Sequence, residues 1–194
     1  MRDDFDLEGL RAWNQGYRPR LIGFCGPTGC GKTFAATHLA ASFGYSRVRF
    51  AGPLKAMCKA LGMTDAEIDG PAKEQSCDLL GGRTPRWAMQ TLGTEWGRDL
   101  IDPDLWVRAW ERQALSFLDA GDPVVVDDVR FANEAAAIWQ RGGVLIRLDR
   151  AGAGRSAGEG HASERLDFPY DARLENYGDR AFLVSLAALV RRAC

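Results

Sequence analysis

Histidine is nearly absent from the chain: His38 and His161 are the only two. The five cysteines, Cys25, Cys30, Cys58, Cys77 and Cys194, contain no pair two residues apart. Zinc-ligand spacing and a disulfide framework are therefore excluded, and the thiols read as reduced structural residues, with Cys194 simply exposed. Charge of one sign is lacking too. A formal net charge of -1 gives no general attraction to nucleic acid or to an anionic membrane, so any phosphate ligand must be met by local basic groups. Long apolar runs are missing: none approaches the roughly 18 residues that span a bilayer, and Phe182 to Val190 is a short amphipathic helix pattern. The leader, residues 1–20, carries Asp3, Asp4, Asp6 and Glu8 and no apolar core of signal-peptide length. We expect a soluble, cytoplasmic protein without membrane or nucleic-acid partners. Internal repeats are lacking, as is an NKxD guanine-reading motif.

What is present is ordinary globular composition, 46% hydrophobic and 26% charged over 194 residues, enough for one compact domain as the default. Leu21 to Cys25 reads as a short buried strand and Lys32 to Phe43 as a helix. Tyr45 to Phe50 suits a second strand, Pro53 to Leu61 a helix, and Thr64 to Gly82 short helices and loops. Thr84 and Pro85 open a helix as cap and first-turn residue, and its pattern continues toward Leu100 despite Gly93 and Gly97. Asp104 to Ala120 is helical, and Pro123 to Asp127 is a β-branched run typical of a strand covered on both faces. Phe131 to Arg141 is helical, Gly143 to Leu148 a strand, and Ala172 to Asn176 with Arg180 to Arg192 a last strand and helix. This alternation predicts an α/β fold with a mainly parallel sheet wrapped by helices.

Gly26-Pro27-Thr28-Gly29-Cys30-Gly31-Lys32-Thr33 matches GxxxxGK[ST] in full, between a predicted strand and a predicted helix. The glycines let backbone N–H groups turn toward phosphates, and the helix N-terminus adds a favourable dipole. Lys32 is expected to reach the β and γ phosphates, and the Thr33 hydroxyl to ligate Mg²⁺. Cys30 is a loop member and small filler without a catalytic role.

Asp127 and Asp128 end the central strand, at the edge where open α/β sheets bind ligands. One of them can hold the metal shell or orient an acceptor; Asp127 is the candidate metal ligand beside Thr33, while Asp128 can equally cap the next helix. The segment 150–164, rich in Gly, Ala and Ser, carries Arg150 and Arg155, which suits a lid that brings arginine over a bound phosphate; a plain connection fits the same composition. Arg86, Gln90, Thr94 and Arg98 recur every four residues on one helix face, opposite Ala88, Leu92, Trp96 and Leu100. Such a face is either solvated or turned to ligand. Gly93, costly inside a helix by roughly 1 kcal/mol, favours close approach to the backbone there. Lys55 and Arg98 are further anion candidates. Trp87, Trp96, Trp106 and Trp110 are expected mostly in the core.

The glycine loop, Phe50 to Lys55, Thr84 to Arg98, Asp104 to Trp106 and Asp127 to Glu134 together resemble the bacteriophage-type deoxynucleoside monophosphate kinases, relatives of the adenylate kinase-like P-loop enzymes. The resemblance spans about Leu21 to Asn176 and implies their three-layer fold with a lid, here about 150–164. It makes residues 1–20 an extension and 21–194 the kinase domain. It further implies ATP and Mg²⁺ as cofactors and a small-molecule acceptor, touched by Arg86, Gln90, Gly93 and Thr94 with Trp106 and Asp127 beside it, and Arg130 neutralising the transferring phosphates. His161 to Glu164 also resembles family sequence, without an assignable role. A P-loop kinase for another acceptor such as dephospho-coenzyme A, and a nucleotide-driven switch or ATPase, share the loop. Monomer and homodimer are both compatible with the sequence.

Overall fold

The computed structural model describes residues 18–154, 166–178 and 180–190. In chain order the elements are β1 (Leu21–Cys25), α1 (Lys32–Phe43), β2 (Ser46–Arg47), α2 (Gly52–Ala60), α3 (Asp65–Ile68), α4 (Pro85–Thr91), a π-helix (Leu92–Ile101), α5 (Leu105–Asp119), β3 (Val124–Val126), α6 (Ala132–Gln140), β4 (Val144–Asp149), β5 (Ala172–Glu175) and α7 (Arg180–Val190). They divide into two compact units, Met1–Val48 with Ala114–Cys194, and Arg49–Gln113. Among the described residues no helix is long and apolar enough to cross a membrane.

The first unit is a five-stranded sheet in the order β2-β3-β1-β4-β5, every pairing parallel. All residues of β1 and β3 are buried, as both faces being covered by helices requires. On one face Ile22, Phe24, Val125, Ile146 and Leu148 pack with Leu39 of α1 and Phe182 and Leu186 of α7, each such burial contributing about 1.5–3 kcal/mol. On the other face lies α6: a Cβ on Gly23 would stand 3.1 Å from Leu145 and 3.4 Å from Ile138. The layers are thus helix, sheet, helix, the predicted architecture. Because β1 has β3 on one side and β4 on the other, its C-terminal end is the point where strand order reverses and ligands bind in such sheets.

The second unit has its own core of Leu54, Cys58, Met63, Ile68, Met89 and Trp106, with Phe50 against Trp110 at 4.6 Å between ring centroids. Helix starts are capped locally. Thr64 and Glu67 exchange bonds in a capping box, and the Thr84 hydroxyl accepts from the Trp87 N–H at 3.2 Å, followed by Pro85 at the first turn.

Several expected boundaries shift. The second strand is two residues rather than six. The long helix from Thr84 changes at Leu92 from α to π winding, and within it Gly97 leaves room for Trp106: a Cβ there would lie 2.6 Å from the indole Nε1. The indole N–H donates to the Gly93 carbonyl at 2.7 Å. Of the four tryptophans expected mostly in the core, two are there: Trp106 and Trp110 are buried, whereas Trp87 and Trp96 are 47% and 38% exposed. Trp87 instead stacks beneath the Arg83 guanidinium, 4.8 Å from its ring centroid, where a surface aromatic keeps a favourable contact.

Candidate functional site

The glycine loop joins β1 to α1, and its backbone departs from what side chains tolerate. Gly26 has φ 136°, and a Cβ there would fall 2.1 Å from the Leu148 carbonyl oxygen; Gly31 has φ 104°, with a Cβ 2.3 Å from the Asn176 amide nitrogen. Both positions demand glycine, for conformation and for space. Gly29 also has positive φ, but with nothing within 4 Å of a Cβ, so its side is open. Unlike the helices after Thr64 and Thr84, α1 has no side-chain cap, which leaves its first N–H groups available for an anion.

Asn176, just past β5, is buried. Its side-chain amide donates to the Cys30 carbonyl at 2.9 Å, and its side-chain oxygen accepts from the Gly178 N–H at 2.9 Å. It therefore ties the sheet to the loop, a role invisible in a sequence that shows only a strand end. Cys30 is buried beneath the loop. Beside it, burial pushes the Cys25 thiol up to about 12, against the pull of Arg147 and Lys32, so Cys25 stays protonated and unreactive.

The Lys32 ammonium donates to the carbonyls of Gly26 at 2.7 Å and Pro27 at 2.8 Å. The Thr33 hydroxyl donates to Asp127 Oδ2 at 2.9 Å, bringing the two candidate metal ligands together from sequence positions far apart. Arg47, which the sequence did not single out, grips the same carboxylate: Nε donates to Oδ1 at 3.0 Å and Nη2 to Oδ2. Hydroxyl and carboxylate oxygens side by side are the hard donors that Mg²⁺ takes, so the residues present fit that ion. After the strand, Glu134 accepts the N–H groups of Arg130 at 2.7 Å and Phe131 at 3.2 Å. The start of α6 is thereby satisfied by a carboxylate within the helix itself. Asp128 and the half-buried Arg130 both carry interactions of their own, and Arg150 is exposed at the end of β4. Arg155, His161 and most of the expected lid lie outside the described residues.

In the second unit the predicted cations are paired. Lys55 and Arg49 both reach Asp69, the latter at 3.5 Å. Burial raises the Asp69 carboxyl, but the Lys55 hydrogen bond and charge, with Arg49 and Lys73, outweigh it and hold it below its ordinary value. Arg86 Nε pairs with Glu74. Gln90, Gly93, Thr94 and Arg98 are all half-buried, and Arg98 donates to the Pro103 carbonyl at 3.1 Å. The close approach inferred at Gly93 comes from within: Trp106 bonds its carbonyl, and a Cβ there would stand 3.0 Å from Leu54. Trp106 is 5% exposed and holds this helix through that bond. Arg49, Asp69 and Glu74 escaped sequence reasoning because single charges in loops carry no spacing signal.

No family model matches the chain. A provisionally named deoxynucleotide monophosphate kinase of Acanthamoeba polyphaga mimivirus is 40% identical over 157 residues, 74% of this chain and 80% of that protein. Among solved structures, a provisionally assigned kinase of Chloroflexus aurantiacus matches with TM-score 0.43 and 16% identity, over 71% of this chain and 63% of that one. A sugar kinase of Janibacter sp. matches with TM-score 0.36 and 17% identity, over 89% and 78%.

Proposed function

The chain belongs to the deoxynucleoside monophosphate kinase family, and from that premise we propose that it transfers the γ-phosphoryl group of ATP to a deoxynucleoside monophosphate, giving the diphosphate. The observation that carries this reading is the Thr33 hydroxyl on the Asp127 carboxylate at 2.9 Å, at the end of an intact phosphate loop whose helix is uncapped.

The N–H groups of the loop and of the first turn of α1 bind the donor phosphates, and Lys32 swings from its own loop carbonyls to the β and γ oxygens. Thr33 and Asp127 would hold Mg²⁺, which would supply positive charge to offset that of the phosphates. No protein base is required. The acceptor phosphate loses its second proton near pH 6, so its oxygen is already anionic at neutral pH. The chain's task is to hold two polyanions together against their repulsion, which is positioning and electrostatics. Arg86 with Lys55 would take the acceptor phosphate, Gln90 its base, and Gly93 and Thr94 the flanking surface. Arg130, Arg150 and Arg155 would neutralise the transferring group.

The test is coupled phosphotransfer with ATP and Mg²⁺ against a panel of dGMP, dTMP, dCMP, dAMP, the ribonucleotides and dephospho-coenzyme A. Diphosphate formation from one or more deoxynucleotides is the expected result. Transfer to dephospho-coenzyme A alone, or ATP hydrolysis indifferent to acceptor, would overturn it.

A further inference from the structure

We propose that Arg47 is a positioning residue which holds the Asp127 carboxylate in its ligating attitude and is displaced from it when a divalent cation enters; the inference rests on the phosphotransfer reading above. The Asp127 side chain is 2% exposed. An ionised carboxylate so buried is costly unless a cation and hydrogen bonds compensate it. Arg47 supplies both, its fork spanning the two oxygens, with Nε at 3.0 Å from Oδ1 and Nη2 on Oδ2. The same Nη2 lies 3.5 Å from Thr33 Oγ1, and the Thr33 hydroxyl itself donates to Oδ2 at 2.9 Å. The guanidinium thus stands beside both oxygens that a hard cation would use, and neutralises the charge that would attract one.

Guanidinium and cation therefore compete. Mg²⁺ binds oxygen at about 2.0–2.1 Å in strict geometry and needs carboxylate lone pairs that the fork now occupies. The exchange requires no backbone motion. Arg47 ends β2, its neighbour Val48 is pinned by an N–H bond to the Val125 carbonyl at 3.0 Å, and the Arg47 side chain is 27% exposed, so it has solvent to turn into. Two properties follow. The carboxylate stays ordered and paired without metal, and cation affinity without nucleotide falls in proportion to the time Arg47 occupies it. Phosphate oxygens arriving with the cation supply the extra ligands that tip the exchange, so metal binding becomes dependent on nucleotide.

The test uses Mn²⁺ in place of Mg²⁺, with free ion followed by electron paramagnetic resonance in the presence and absence of ATP. Wild type, Arg47→Ala, Arg47→Lys and Asp127→Asn are compared, each checked by thermal melting. Without nucleotide, Arg47→Ala is expected to bind Mn²⁺ about tenfold more tightly than wild type, as for a competitor present nine-tenths of the time. Arg47→Lys, keeping charge but losing the fork, should fall between them, and Asp127→Asn should bind weakly throughout. Equal or weaker binding by Arg47→Ala overturns the inference. If that variant does not fold, Arg47→Lys decides in the same way. Wild type that takes up Mn²⁺ with ATP while the Arg47 variants match it sinks this inference alone, whereas wild type that binds no Mn²⁺ even with ATP sinks the kinase reading with it.

Discussion

The Lys32 ammonium rests on the carbonyl oxygen of Gly26, six residues before it, at 2.7 Å. The cation proposed for phosphate is thus folded back onto the loop that presents it, and two other proposed phosphate contacts are similarly placed: Lys55 on Asp69 and Arg86 on Glu74. On the proposed reading Lys32, Lys55 and Arg86 would each exchange a partner within the protein for phosphate oxygen. Ligand binding would then be an exchange of partners rather than the filling of a bare positive pocket.

Lys32→Ala should abolish transfer while leaving the fold intact, since the ammonium bonds two loop carbonyls and otherwise meets only the Cys30 sulfur, at 3.7 Å. A loss on the order of 10²–10³ or more in kcat is expected for removing such a charge, with a melting temperature close to wild type. Undiminished turnover at saturating ATP and Mg²⁺ would remove Lys32 from the chemistry.

Gly31→Ala and Gly29→Ala should differ although both positions have positive φ. Backbone strain of about 1–2 kcal/mol applies to each, but only residue 31 would also collide with Asn176, at 2.3 Å. Urea unfolding should show Gly31→Ala as the more destabilised. Its added cost should shrink when Asn176→Ala is combined with it, and strictly additive effects would contradict the contact.

Arg86→Ala and Gln90→Leu should fail in different ways. Every acceptor carries the same dianion, so the arginine change should lower kcat/KM by a similar factor for all bases, on the order of tenfold or more for a charge-assisted bond. Gln90 offers both donor and acceptor, so its loss should reorder dGMP, dTMP, dCMP and dAMP. A uniform drop for Gln90→Leu, or a reordering for Arg86→Ala, would reverse the assignment.

Trp106→Phe keeps an aromatic ring but deprives the Gly93 carbonyl of its indole donor. A destabilisation of about 0.5–1.5 kcal/mol is expected for the lost hydrogen bond, read by urea unfolding. Unaltered stability with a raised KM for the acceptor would mean that the indole touches substrate directly.

Asp69 gives a pH signature. Its folded-state pKa lies below the ordinary 3.8, so the stability it contributes is complete above that value and is lost as pH falls through the depressed one. The side chain is 48% exposed, which limits the contribution to about 1 kcal/mol or less. The stability difference between wild type and Asp69→Asn should therefore be largest near neutrality and shrink in acid. A gap that widens on acidification would show that Asp69 is not held ionised by Lys55 and Arg49.

The sequence alone determined what depends on neighbours in the chain. The strand, glycine loop and helix from Leu21 to Phe43 were legible because strand period, positive-φ glycines and a Lys-Thr pair are local signals, and so were the Thr84 cap and the β-branched run of β3. Tertiary structure decided what depends on elements meeting. Nothing near Arg47 in the chain announces Asp127; parallel pairing of β2 with β3 brings them together, and burial then makes the pairing obligatory. Asn176 reaches the glycine loop only because β5 closes the sheet beside β4. Trp106 fills the space that a side chain at Gly97 would need, and local propensity registers the cost of a glycine but not the side chain that needs its space.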